Sequence, residues 1–60
     1  MIQKLGDKYR EVNGYEYFGE LYLAQNQKDL AKEYFTKAYN LYKAIGDNGY
    51  AQWVYETYLK

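Results

Sequence analysis

The stretch YEYFGELYLAQNQKDLAKEYFTKA, Tyr15–Ala38, decides the fold. In its first half Tyr15, Phe18 and Tyr22 recur at spacings of three and four residues, and the series runs back through Val12 to Tyr9. Such spacing describes one face of an α-helix. The polar run Ala24-Gln25-Asn26-Gln27-Lys28 breaks it. A second and cleaner face then comes in Leu30, Ala31, Tyr34, Phe35, Ala38, Leu41, Tyr42 and Ile45, with Glu33 and Lys37 as an i,i+4 pair on its outside. A polar connection this short makes the two helices antiparallel neighbours. No segment alternates as a strand would.

Outward from this hairpin, Asp7 is a suitable N-cap for the first helix, and Glu11 one turn in suits the helix dipole. Gly14 and Gly19 each cost up to ~1 kcal/mol inside a helix, a cost that often marks close approach by another helix. Gly46 reads as the residue just past the second helix, with Asp47 or Asn48 capping a third that carries Tyr50, Trp53, Val54, Thr57 and Tyr58. The expected fold is all-α, an antiparallel helical hairpin plus a third helix, in one unit. Residues 1–7 would end a preceding helix or form an N-terminal cap. Residues 8–25 and 28–45 would form the pair, and 48–60 the first helix of a following repeat or a capping helix.

Composition narrows the function. Sixty residues make one small domain at most, and a chain of that size buries only about 60% of its unfolded surface. Ordering costs roughly 1.5 kcal/mol per residue, so a staple or partner is expected. With neither cysteine nor histidine, the chain has no disulfide and no thiolate or imidazole metal site. Serine is absent as well, so no nucleophile–base pair of the usual kinds can be assembled, and no enzymatic activity or cofactor is expected. Eight basic and eight acidic residues cancel, which argues against nucleic acid as a partner. No apolar run nears the ~20 residues of a membrane span, and the N-terminus lacks the pattern of a signal peptide. A soluble, cytoplasmic protein is the expectation. The ten tyrosines fall at helical spacing and tile a helical core, since their rings pack while their hydroxyls reach water.

The chain also repeats. Leu5-Gly6-Asp7 returns as Ile45-Gly46-Asp47, Tyr15-Glu16 as Tyr55-Glu56, and Phe18 as Tyr58. A fixed period of this size points to stacked helical pairs, each burying its face only against neighbours. With that period in hand, the chain resembles the tetratricopeptide repeat. Tyr15, Phe18, Gly19 and Tyr22 stand as that family's Trp, Leu, Gly and Tyr of the first helix, and Ala31, Phe35 and Ala38 as its Ala, large aromatic and Ala of the second. The longer period and the Ile45-Gly46-Asp47 ending resemble the roughly forty-residue variety. Two departures stand out: Asn26-Gln27 replaces the usual turn glycine, and the closing proline is missing.

The resemblance implies a protein- or peptide-binding repeat module, and an alternative is a self-associating scaffold. By the same resemblance the first helix of each pair lines a concave face. Here that face would hold Asn13, Glu16, Tyr17, Glu20 and Leu23, continued by Trp53, Glu56 and Lys60, and its glutamates favour a net basic peptide. Glu16 and Glu20, one turn apart, read as a solvated acidic stripe and not as a metal pair. Gly46-Asp47-Asn48-Gly49 reads as a cap and turn and not as a phosphate or calcium loop. The ends of the unit would be open. Ile2 and Leu5 at one end, and Trp53, Tyr55, Tyr58 and Leu59 at the other, are candidate self-association residues, for neighbouring repeats of a larger parent or for a homo-oligomer, a two-fold dimer being favoured.

Overall fold

Each turn between helices is built by the same local chemistry, and these turns set the architecture. The computed structural model describes residues 4–60, which are helical throughout apart from two short turns and the last residue. Helix α1 spans Lys4–Ala24, α2 Lys28–Ala44 and α3 Asn48–Val54, and a π-helical turn, Tyr55–Leu59, continues α3. At the end of α1 the Asn26 N–H donates to Leu23 O and the Gln27 N–H to Tyr22 O. At the end of α2 the Gly46 N–H donates to Lys43 O and the Asp47 N–H to Tyr42 O. Both are Schellman closures, which need a residue in the left-handed region at the reversal. Gly46 takes it at φ 84°, and Asn26 takes it at φ 64°. Asparagine tolerates that region because its short polar side chain bonds locally, so the glycine expected at the first turn is dispensable.

The side chains fix the directions of the helices. Tyr42 reaches back to Glu16, and Phe35 lies against Gly19, so α2 runs antiparallel to α1. Tyr42 stacks on Tyr50, Tyr39 meets Tyr55 and Phe35 stacks on Tyr58, so α3 and its π turn run antiparallel to α2. Two hydrogen bonds, Tyr9 to Asp47 and Tyr58 to Glu20, join residues 38 apart, so α3 lies parallel to α1. Helices α1 and α3 both pack on α2, without close backbone contact with each other among the described residues. The result is a slab of 40 × 19 × 11 Å with a radius of gyration of 11.5 Å, somewhat above the ~10 Å of a compact chain of this length.

The core is small and centred on α2. Ala31, Phe35, Ala38 and Tyr42 are buried there, joined by Val12 from α1 and by Ala51 and Val54 from α3. The three alanines let the backbones approach, and Phe35 fills the space so made. Its ring stacks parallel on Tyr58, centroids 3.8 Å apart. A β-carbon placed on Gly19 would stand 2.7–2.9 Å from ring atoms of Phe35. Gly19 is thus the close approach that its cost in the helix suggests. Gly14 is not, since nothing lies within 4 Å of the corresponding point.

Other expectations need correction. Leu5-Gly6-Asp7 does not end a preceding helix, because residues 4–7 form the first turn of α1, and Asp7 is a first-turn acid, not a cap. At its counterpart the reversal is held by the Schellman bonds and by the Tyr9 hydroxyl on Asp47, whereas a β-carbon on Gly6 would meet nothing. Local sequence identity is therefore not enough to make the same turn. Phe18, which the spacing assigns to the inner face of α1, is 44% exposed. It sits on the edge of α1 away from α3, against Tyr34 and Tyr17. The helix of 48–60 is α-helical only to Val54. The wider winding of the π turn changes the direction of its own side chains, and both Tyr58 and Leu59 within it pack against the core.

Candidate functional site

A groove runs between α1 and α3 with α2 as its floor. Tyrosine hydroxyls bridge it at two points. The Tyr9 hydroxyl donates to Asp47 Oδ2 at 2.8 Å, and the Tyr58 hydroxyl donates to Glu20 Oε2 at 2.9 Å. Between them Tyr42 rises from the floor and donates to Glu16 Oε2 at 2.9 Å. Asp47 is held firmly, since its Oδ1 also caps α3 by accepting from the Tyr50 N–H at 3.3 Å.

These contacts perturb the tyrosines. Burial, and then the hydrogen bond to Glu16, raise the Tyr42 hydroxyl far above the ordinary phenol range. Burial, and then the bond to Glu20, push Tyr58 up to about 12. Tyr9 is raised chiefly by its bond to Asp47, and Tyr15, outside the groove, by its bond to Glu11. The hydroxyls therefore stay protonated as donors, and the carboxylates accept.

The groove has two clefts of opposite character. The first, about 510 Å³, is lined by Tyr9, Asn13, Glu16, Tyr42, Asp47, Tyr50 and Trp53. Among the described residues it carries two carboxylates, four aromatic side chains and no basic one. The second, about 320 Å³, lies at the other end, where Leu23, Lys28, Lys32, Tyr58, Leu59 and Lys60 surround a floor formed by the buried Ala31 and Phe35. Among the described residues it carries three lysines and no carboxylate side chain. The groove is therefore dipolar along its length, and not uniformly acidic as the glutamates of α1 suggest.

The residues singled out from the sequence divide accordingly. Asn13, Glu16 and Trp53 line the first cleft, Leu23 and Lys60 the second, and Glu20 ties Tyr58 between them. Tyr17 lines neither. It comes one residue after Glu16, a rotation of about 100° around the helix, and its ring is 63% exposed and edge-on to Phe18. Glu56 lines neither as well, because it accepts from Gln52 Nε2 at 2.7 Å on the exposed side of α3.

Of the self-association candidates, Ile2 and the side chain of Leu5 lie outside the described residues. Tyr58 and Leu59 pack on the chain's own core. Tyr55 stays 44% exposed beside Tyr39, and Trp53 is 48% exposed, edge-on to Tyr58. Four further residues, Tyr9, Tyr42, Asp47 and Tyr50, join the cleft without being marked for it by the sequence. Spacing assigns Tyr42 to packing and Asp47 to capping, and each fills that role while also facing the cleft. Glu16 and Glu20 each carry a tyrosine hydroxyl, and no metal-binding cluster of acidic residues occurs among the described residues. Nor, among them, is any helix long and apolar enough to cross a membrane.

Comparison of the chain with family models, with curated proteins and with solved structures finds no match.

Proposed function

We propose that this chain is a non-catalytic protein-interaction module of the tetratricopeptide type that binds an extended peptide segment in the groove between α1 and α3. The observation that carries this reading is the groove itself. Two parallel helices are held apart over a third by tyrosine–carboxylate bridges, leaving two open clefts of opposite charge in line. Aromatic rings that are half exposed yet held by packing provide contact area at low entropic cost. The opposite charges at the two ends give a bound chain a direction. The ligand best matched is therefore a dipolar peptide, not one that is basic throughout.

The test is amide-shift mapping by NMR with short extended peptides of either charge order. Shifts confined to residues around Asn13, Glu16, Asp47, Trp53 and Lys60 support the reading. Shifts scattered over the outer faces of α1 and α2 would refute it.

A second reading, self-association, has its own observation. Phe18, Leu21 and Leu30 are exposed along the α1–α2 edge, and Tyr55 on the opposite flank. On this reading copies pack edge to edge, and a two-fold closed dimer stops growth.

A further inference from the structure

The first cleft is more specific than a generic groove. Glu16 is half-buried, and its Oε2 accepts from Tyr42 while Oε1 has no hydrogen-bond partner among the described residues. Asp47 has both oxygens engaged, by Tyr9 and by the backbone of Tyr50. The cleft thus offers one free carboxylate acceptor, a second fixed negative charge, and the faces and edges of Tyr9, Tyr50 and Trp53. Tyr42 and Tyr50 stack at 5.3 Å and 17°, and Trp53, edge-on to Tyr58, lines the same space. Among the described residues no lysine or arginine lines the space.

An anion would meet two like charges there. A neutral side chain would leave both carboxylates uncompensated as water is displaced, which is costly. A cation satisfies the carboxylates and the negative ring faces together. Between cations, an ammonium is strongly hydrated and compact, whereas a guanidinium is weakly hydrated, planar, stacks on rings and donates from several N–H groups.

We propose that this cleft is a subsite for the side chain of an arginine in the bound peptide, the guanidinium stacking on an aromatic ring of the lining, Tyr50 or Trp53, and donating to Glu16. The assignment rests on the peptide-binding reading. It also sets the peptide's direction, since the lysine-lined cleft at the far end rejects the same side chain and accepts an acidic one. Glu16 and Leu23 are seven residues apart on α1, about 10 Å at 1.5 Å per residue, which matches about three residues of extended chain.

The experiment uses four blocked pentapeptides that differ only at the central residue: arginine, its neutral isostere citrulline, lysine and glutamate. Binding is read by Trp53 fluorescence and by amide shifts. The arginine peptide is expected to bind about tenfold more tightly than the citrulline one and to weaken as salt rises. Glu16→Gln, which keeps an acceptor for the Tyr42 hydroxyl, is expected to reduce arginine binding to the citrulline level without lowering the melting temperature. Equal binding of all four peptides in the groove, or an arginine affinity indifferent to Glu16→Gln in a folded variant, overturns the arginine subsite and leaves the groove reading standing. No shift in the groove with any of the four overturns both.

Discussion

Phe35 is the residue on which most of the molecule depends. It touches α1 at Gly19 and the π turn after α3 at Tyr58, so one ring reports on both helix pairings. Gly19→Ala improves helix propensity by up to ~1 kcal/mol, yet its methyl would stand under 3 Å from a ring that Tyr58 keeps from retreating. Overpacking of this kind costs about 1–3 kcal/mol, so net destabilisation is expected, larger still for Gly19→Leu. Gly14→Ala is the matched control. With nothing within 4 Å of its β-carbon, it should stabilise by up to ~1 kcal/mol. Urea denaturation of both variants checks the pair, and the same sign for the two would contradict this packing.

At the scale of elements, the two turns are nearly superimposable in chemistry but not in capping. Asp47 sits at φ −94°, ψ 74° and caps α3 through its side chain. Gln27 sits at φ −105°, ψ 77° before α2 and makes no side-chain cap bond. Gln27→Asp should therefore supply the missing acceptor and stabilise by about 1 kcal/mol, read as a rise in melting temperature. Asp47→Ala should cost about that much or more, since it removes the cap of α3 and the partner of Tyr9 together. An Asp47→Ala variant that melts like the parent chain would show that the α1–α3 bridge contributes nothing.

For the whole molecule, the tyrosine–carboxylate bridges make stability fall on the alkaline side. An unfolded tyrosine ionises near 10, while Tyr58 in the fold holds its proton to about 12 and Tyr42 holds its own beyond the ordinary range. Between those values the folded state binds more protons than the unfolded one, so stability present below pH 10 is lost as pH rises towards 12. Chemical denaturation at successive pH values should show this slope, and Tyr58→Phe should flatten part of it. An unchanged slope in Tyr58→Phe would place the alkaline sensitivity elsewhere. The open edges bear on the same scale. A core this small gains from covering Phe18, Leu21 and Tyr55 at roughly 25 cal/mol per Å² of apolar surface. Sedimentation equilibrium should therefore show reversible association at micromolar concentration, and a melt independent of concentration in a strict monomer would rule it out.

Periodicity by itself determined that the chain is all-helical, that α2 carries the main apolar face, and that Gly46-Asp47 makes a turn. These features depend on short-range spacing and on backbone conformations that few residues adopt, so neighbouring residues carry the information. Gly19 was legible as a close approach, but Gly14 looked the same, because a glycine's cost is local and its reason lies on another helix. Only the tertiary structure decided the rest. It kept Leu5-Gly6-Asp7 helical where an identical Gly-Asp pair turns the chain, since that turn is held by a tyrosine 38 residues away from Asp47. It turned Tyr17 and Glu56 out of the groove and brought Tyr9, Tyr42, Asp47 and Tyr50 into it. It also divided the groove into an acidic and a basic end. The charges of one cleft come from α1 and from the turn before α3, and those of the other from α2 and the last residue, Lys60. Segments that distant combine their fields only once packing has set them side by side.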